Sequence, residues 1–361
     1  MSANISTNNF DLIRLFAASQ VAIVHVTGYL SPGFSDSALT VFLYLFPGVP
    51  VFFFISGFLI SRAFEKNRVI WEYGQNRALR IFPALHVCVA LNIVVVAMTG
   101  YFASVGASAP DVLLLYLAKT TFLQFYNPDF MRSFGDGVLN GSLWTICVEL
   151  QFYCLVPVVY WLAVSENTAR SNFYLVALML VSMACNRLLY ALESQHGHEV
   201  LWKLAKVSFI PWVYMFLCGV LIQRNFGYLS RLISNRNAVV TIIAYTVLAL
   251  VLTRRGVPLG NNVSPFLFFP LVAALMMAAY TIPSASNALL RGNDVSYGMY
   301  IYHQPVVNTF LFFSVKGPLV AALTLLISLA LAILSWIMIE RPFLRRKRHS
   351  SHAVPVPGRT R

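Results

Sequence analysis

The sequence predicts an all-α fold, a polytopic transmembrane bundle of about ten helices, and three observations support this class. Of the 361 residues, 58% are hydrophobic and only 11% are charged, far more apolar surface than one soluble core requires. The apolar residues come in runs of about 17 to 22, the length that crosses about 30 Å of hydrocarbon as a helix. These runs are too long and too continuously apolar for the alternating strands of an outer-membrane barrel.

The predicted spans follow one another with short polar breaks between them. They are residues 11–30, 41–61, 81–101, 142–163, 171–189, 208–223, 238–253, 264–282, 296–315 and 317–339. With the N-terminus inside, about eighteen of the 26 basic residues fall on the cytoplasmic side, as the positive-inside rule expects. The net charge of +13 is therefore explained by basic residues in the cytoplasmic loops, which set the orientation of the protein in the membrane, and not by nucleic-acid binding. Both termini are predicted to be cytoplasmic.

Two segments are predicted not to cross the membrane. Residues 112–125 contain Lys119, and counting them as a span would move the basic tail outside, so we expect a re-entrant or interfacial segment. Residues 344–361 have no apolar period and are predicted to form a basic, disordered cytoplasmic tail. Residues 10–343 are predicted to form one membrane domain, whose first span is retained rather than cleaved as a signal peptide.

The five cysteines all lie within predicted spans, where small apolar residues are expected. Cys147 and Cys154 share a helix face, but a rise of about 10 Å separates them, which is too far for a disulfide. Neither CxxC nor HxxxH pairs occur, so no metal site is predicted.

The first span carries two ionisable residues on one face. Arg14 and His25 are eleven residues apart, so they point within about 20° of each other and lie about 16 Å apart along the axis. A histidine that merely bonds a neighbouring helix is an equally good explanation for one polar residue. Their shared face favours a groove, with Arg14 at its cytoplasmic mouth and His25 past the middle of the membrane.

The third span begins with the arginines of RALRIFPAL. Arg77 and Arg80 are spaced i, i+3 and so share one helix face. Anchoring at lipid headgroups is the simpler explanation for either residue alone. Together with Arg14, however, they would form a pocket for phosphate groups, which guanidinium recognises with paired hydrogen bonds.

The fourth span contains one acid, Glu149, in GSLWTICVELQFYCLVP. A carboxyl group within an apolar run is costly, so Glu149 should either pair with an arginine as a structural counter-ion or take part in chemistry. Tyr153 lies one helical turn after Glu149, and Ser142 lies about two turns before Glu149. The three residues form a polar stripe on one face of the helix.

Two further segments contain candidate site residues. Ser56 and Gly57 lie among the aromatics of FFFISGFLIS, where small residues permit close helix approach more often than they bind substrate. In SYGMYIYHQP, His303 follows Tyr300 by one turn and Ser296 by two turns on the same face, which weakly favours a functional role.

These motifs, in this order, resemble the successive signatures of the acyltransferase 3 family of integral membrane acyltransferases. The resemblance runs from about residue 10 to residue 343 and rests on the spacing from Arg14 to His25 and on the segments FFFISGFLIS, RALRIFPAL, SLWTICVELQFY and SYGMYIYHQP. It implies transfer of an acyl group, usually acetyl, from cytoplasmic acyl-CoA to a hydroxyl of a cell-surface glycan or its lipid-linked precursor. It also implies a bacterial cytoplasmic membrane and no permanently bound cofactor.

The resemblance and the residue patterns together assign roles to the site residues. The catalytic candidates are His25 and Glu149, the donor-binding candidates are Arg14, Arg77 and Arg80, and the substrate-binding candidates are Trp144, Tyr153, Ser56 and His303. Histidine, with an ordinary pKa of about 6.5, suits a general base at neutral pH. Leu150 stands where the family commonly has a second glutamate, so a role for that second acid is in doubt here.

Two other function classes fit a membrane helix bundle with buried charges. A transporter or flippase would also place Arg, His and Glu within the membrane, but it usually shows inverted repeats, and the sequence has no detectable repeat. A non-catalytic subunit of a polysaccharide assembly is the other alternative. The sequence leaves the acceptor, the acyl chain and the oligomeric state open, and it predicts contact with membrane lipid.

Overall fold

The computed structural model describes residues 8–34, 37–165, 167–196, 199–282 and 284–346, and these contain helices and no strand. The helices of eleven residues or more are numbered α1 to α11. They are α1 Phe10–Leu30, α2 Gly48–Lys66, α3 Ile70–Met98, α4 Ala109–Lys119, α5 Trp144–Leu162, α6 Thr168–Ala191, α7 Val213–Arg224, α8 Asn235–Arg254, α9 Pro265–Tyr280, α10 Ser296–Phe312 and α11 Pro318–Ser335. The predicted all-α class is confirmed.

Each of the ten predicted spans overlaps one of these helices. Among the described residues, seven helical stretches are long and apolar enough to cross a membrane, and these contain α1, α2, α3, α5, α6, α8 and α11. The other three predicted spans form the shorter helices α7, α9 and α10. The chain is therefore a multi-pass membrane protein built as a helical bundle.

Two predicted span boundaries differ from the structure. The span predicted at 41–61 is broken, because a short helix, Ala38–Tyr44, ends before Pro47 and α2 begins just after it. A proline inside a continuous helix would lack its N–H donor and would clash with the preceding turn. The span predicted at 81–101 begins at Ile70, since the polar first turns of α3 are helical although they are not apolar. Arg77 and Arg80 consequently lie inside a helix rather than at its first turn.

Of the two segments that were predicted not to cross, residues 112–125 are described throughout and residues 344–361 only as far as residue 346. Residues 109–119 form the 11-residue helix α4, which at about 16 Å is too short to span the hydrocarbon. Lys119 at its end is buried, and its Nζ donates to the carbonyl oxygen of Gln124 at 2.7 Å. A short helix, Arg341–Leu344, ends at the first residue of the predicted tail, and residues 347–361 lie outside the described residues.

Glycines bring α2 and α7 into backbone contact. A Cβ atom on Gly57 would lie 1.9 Å from the carbonyl oxygen of Phe216, and one on Gly219 would lie 2.3 Å from that of Phe54. No side chain fits at either position, so Gly57 serves close helix approach, as the sequence favoured.

Burial separates central helices from peripheral ones. In the spans that contain α2 and α5, 61% of an apolar stretch of 18 residues is buried inside the protein. The corresponding share is 22% for α6 and 17% for α8. A helix exposed along most of its apolar surface faces lipid, whereas the buried helices carry the polar side chains of the interior. The candidate site residues lie on α1, α2, α3, α5 and α10.

Candidate active site

Two of the predicted arginines converge on an acid that the sequence analysis missed. Arg14 Nη1 of α1 and Arg80 Nη2 of α3 donate to the same atom, Asp294 Oδ2, at 2.9 Å and 2.5 Å. Arg80 Nη1 also lies 3.6 Å from Glu340 Oε2. Side chains from four separate parts of the chain therefore form one charge cluster that is largely shielded from solvent.

Asp294 is held as a carboxylate at the start of α10. Its Oδ1 accepts hydrogen bonds from the N–H and the Oγ–H of Ser296, at 3.1 Å and 2.5 Å. Burial alone would raise the pKa of Asp294, but Arg80 and Arg14 outweigh burial and hold this pKa well below its usual range. Asp294 therefore keeps its negative charge at neutral pH, and its hydrogen bond from the Ser296 N–H forms a turn at the start of α10.

Arg77 is bound less tightly than its two partners. Its guanidinium lies over the Tyr153 ring, 5.9 Å from the centroid. Within the described part of the chain it has no carboxylate partner, and its Nε is buried without a hydrogen bond. Arg14, Arg77 and Arg80 nevertheless line one cavity of about 270 Å³, so the predicted grouping of the three arginines is found.

Glu149 lies next to the arginine cavity and is bound by neutral donors. Its Oε1 accepts a hydrogen bond from Ser56 Oγ at 3.0 Å and one from Tyr153 Oη at 2.5 Å. No described arginine forms an ion pair with it, so the counter-ion alternative does not describe this carboxylate. Ser56 and Tyr153, both predicted to bind substrate, hold Glu149 in place.

His25 is paired with His303. His25 Nδ1 lies 3.0 Å from His303 Nε2, although 278 residues separate them in the chain. His303 is fully buried, and its Nδ1 lies 3.3 Å from the carbonyl oxygen of Met299. Since a carbonyl only accepts, Nδ1 of the neutral His303 carries the proton and Nε2 accepts from His25 Nδ1–H. This tautomer leaves a lone pair on His25 Nε2, as a base requires.

Ser142 and Trp144 also reach the histidine pair. Ser142 Oγ lies 3.2 Å from His303 Nε2. Trp144 and half-buried His25 line a second cavity of about 260 Å³, together with Tyr300. The predicted substrate-binding residues therefore divide into two groups, because Trp144 and His303 lie with His25, whereas Ser56 and Tyr153 lie with Glu149.

A narrow cavity of about 40 Å³ lies between these two regions. It shares Arg14, Ser56 and Glu149 with the arginine cavity, and it shares Val49 and Tyr300 with the cavity of His25. The three cavities form a series, and α1 runs beside it with Arg14 at one end and His25 at the other. This agrees with the groove predicted from the spacing of those two residues, while their chemical roles stay predictions.

Sequence reasoning missed two residues of the site, Asp294 and Glu340. The segment NDVS contains an acid two residues before a serine that begins a helix, which is an Asx-turn signal that could have identified Asp294. Glu340 lies in a five-residue π-helical turn, Trp336–Glu340, whose irregular spacing no apolar period predicts.

Comparison with known proteins gives one family. The family model described as an acyltransferase domain matches residues 7–339. Nodulation protein 10 of Rhizobium leguminosarum bv. viciae is 30% identical over 355 residues, which cover 94% of this chain and 93% of that protein. An O-acetyl transferase of Shigella phage Sf6 is 26% identical over 354 residues, covering 94% and 97%. A peptidoglycan O-acetyltransferase of Listeria monocytogenes is 25% identical over 296 residues, covering 73% and 45%. No solved structure matches the chain.

Proposed function

The chain belongs to the family of this acyltransferase domain, and on that premise we propose that it is a membrane O-acetyltransferase. Its donor substrate is cytoplasmic acetyl-CoA, and its acceptor is a hydroxyl of a cell-surface glycan or of the lipid-linked precursor. It acts in the cytoplasmic membrane of a bacterium with both termini inside, and it needs no permanently bound cofactor. The observation that carries this proposal is the series of cavities that runs from the three arginines to His25.

The arginine cavity suits the phosphate groups of the donor. Guanidinium binds phosphate through paired, charge-assisted hydrogen bonds. Arg77, which has no described carboxylate partner, would meet the phosphates first. Arg14 and Arg80 would give up some of their hydrogen bonds to Asp294 and form hydrogen bonds to the phosphates instead. Binding therefore gains only the difference between two sets of ionic contacts, which favours a readily released donor.

Glu149 is suited to the arm that joins the nucleotide to the thioester. Pantetheine carries two amide N–H donors, and a carboxylate only accepts. Glu149 lines the arginine cavity and the narrow one, but not the cavity of His25. We therefore assign it to holding the arm. The arm covers the distance of about 16 Å between the levels of Arg14 and His25 on α1.

His25 is proposed as the general base. Its Nε2 takes the proton of the acceptor hydroxyl while that oxygen attacks the thioester carbonyl. The new C–O bond forms, the C–S bond breaks, and the departing thiolate takes the proton from the imidazolium. His303 Nε2 accepts from Nδ1–H throughout, so it holds the ring and stabilises its positive charge. Direct transfer is simpler than an acyl-enzyme, and ping-pong kinetics would contradict it.

Trp144 is proposed to hold the sugar of the acceptor. It lines the same cavity as His25, and a sugar ring can pack its C–H groups on an indole face. The acceptor would then present its hydroxyl to Nε2 from this side, whereas the donor arrives from the arginine side. Two substrates that enter from opposite ends need not exchange places during the reaction.

The experiment that tests this function uses labelled acetyl-CoA. Membranes that contain the protein are supplied with the label, and the surface glycans are analysed by mass spectrometry with and without the protein. A mass gain equal to one labelled acetyl group in place of hydrogen, per acylated site, is expected only with the active protein. Movement of glycan across the membrane without acylation would favour a flippase, and unchanged acylation in His25→Ala would favour a non-catalytic subunit.

A further inference from the structure

Arg187, near the end of α6, is held by neutral groups. Its Nε donates to Asn186 Oδ1 at 3.0 Å, and its Nη2 donates to Asn262 Oδ1 at 2.6 Å and to the carbonyl oxygen of Val263 at 3.4 Å. Within the described ranges, no carboxylate forms an ion pair with this half-buried guanidinium. A charge enclosed in a membrane bundle is costly unless an opposite charge meets it. The neutral contacts fix the direction of the side chain but leave its charge uncompensated.

A second cation, Lys206, lies at the same aromatic ring but has its own counter-ion. Arg187 Cζ lies 6.0 Å from the ring centroid of Tyr190, and Lys206 Nζ lies 5.3 Å from it. Lys206 Nζ also forms an ion pair with Glu193 Oε1. A ring face stabilises a cation without neutralising it. Arg187, Tyr190 and Lys206, which we call the Tyr190 group, therefore keep one positive charge in excess after pairing with Glu193.

Aromatic side chains place the Tyr190 group beside the cavity of His25. Trp144 lines that cavity, and its ring centroid lies 5.4 Å from that of Trp212. The ring centroid of Trp212 lies in turn 6.2 Å from that of Tyr190. Trp212 is buried, and its Nε1 donates to the carbonyl oxygen of Lys206 at 2.7 Å, which fixes the middle ring of the three.

The loop before α9 gives a second, independent connection. Gly260 and Asn261 line the cavity of His25. The next two residues, Asn262 and Val263, are the ones that accept hydrogen bonds from Arg187. One short stretch of backbone thus contacts both the cavity and the guanidinium. A ligand in the cavity needs to extend only a little further to reach the uncompensated charge.

We propose that the Tyr190 group is a subsite for an anionic group of the acceptor, a phosphate or a carboxylate a short distance along the glycan from the acylated hydroxyl. Guanidinium binds either anion through paired, charge-assisted hydrogen bonds. The anion compensates the charge that the neutral contacts of Arg187 leave over. This inference rests on the proposed function, since it places the acceptor in the cavity of His25. It adds that the acceptor is negatively charged, either in an acidic sugar or in the phosphate that links the glycan to its lipid carrier.

The test measures binding without acetyl transfer. The full-length protein in neutral detergent is titrated with cellobiose, with cellobiouronic acid and with cellobiose 1-phosphate, and dissociation constants are obtained by saturation-transfer NMR. At least one charged probe should bind about tenfold more tightly than cellobiose, and this preference should weaken as salt is added. A preference for the carboxylate alone indicates an acidic sugar, and a preference for the phosphate alone indicates the carrier linkage; either result supports the subsite.

Arg187→Gln keeps neutral donors and removes the charge, so the preference should be lost even though the arginine cavity is intact. Arg187→Lys is the milder variant, which keeps the charge without the paired contact and should weaken the preference about threefold. Arg170→Gln is the matched control, because Arg170 lies on the same helix at an exposed position, with its Cζ 5.5 Å from the ring centroid of Tyr174. This control should keep the full preference.

Three results would overturn the subsite. They are equal binding of all three probes to the unmodified protein, a full preference in folded Arg187→Gln or Arg187→Lys, and an equal loss of preference in Arg170→Gln. The outcome is distinguishable from failure of the proposed function. A preference that depends on Arg187 in a protein that transfers no acetyl group would support the subsite and contradict the function, whereas acetyl transfer without such a preference would contradict the subsite alone.

Discussion

Replacement of His303 by leucine tests the central contact of the proposed site. The change removes the acceptor for His25 Nδ1–H, a 3.0 Å contact to a residue that is fully buried. When His25 takes a proton, this contact becomes charge-assisted, and such a hydrogen bond contributes about 1.5 to 3 kcal/mol. At about 1.4 kcal/mol for each factor of ten, kcat should fall by about 10- to 150-fold.

The assay measures release of free CoA thiol from acetyl-CoA in membranes that contain the native acceptor. Because His303 lies away from the arginine cavity, the KM for acetyl-CoA should stay within about twofold of its original value. His303→Gln is the matched variant, since its amide oxygen can accept from His25 Nδ1–H and should recover part of the lost rate. An unchanged kcat in folded His303→Leu, or a rise in KM at constant kcat, would refute the proposed role.

Three further predictions concern the arginine cavity and the packing of the bundle. Arg77→Lys loses paired recognition of phosphate, so the KM for acetyl-CoA should rise about tenfold in steady-state assays, whereas Arg68→Lys, at an exposed position, should leave it unchanged. The pKa of Asp294 is lowered in the folded state, so its ionised form stabilises the protein above about pH 4, and this stabilisation is lost as the pH falls further. Asp294→Asn should therefore unfold at a lower temperature than the original protein at about pH 6. The difference between the two unfolding temperatures should shrink toward about pH 3. Gly57→Leu forces α2 away from α7, and the detergent-solubilised variant should lose about 1 to 3 kcal/mol or more of stability, against little change for Gly74→Ala, where a Cβ meets no atom within 4 Å. A Gly57→Leu protein as stable as the original would contradict the backbone contact.

Local geometry made several features predictable from sequence. The apolar runs predicted ten spans, each of which overlaps a helix, because hydrocarbon thickness sets the length of such a run. The helical period placed Arg14 and His25 on one face and put Arg77 beside Arg80. These are relations within a single helix, so they hold whatever that helix packs against.

Helix boundaries were less predictable, since apolarity does not by itself define where a helix begins. The polar first turns of α3 are helical, and Pro47 interrupts a run that is apolar throughout. Backbone chemistry decides these ends, through the missing N–H of proline and the helix propensity of polar residues.

Contacts between helices came only from the tertiary structure. The sequence identified His25 and His303 separately, but not their pairing, and it gave no sign that Asp294 bridges Arg14 and Arg80. A buried polar atom must find a partner, yet many polar atoms along the chain can satisfy that need equally well. Which atoms meet depends on how the side chains of distant helices pack together, and that choice involves all of the helices at once. The sequence therefore determined which residues face the interior, and the packing decided which of them act together.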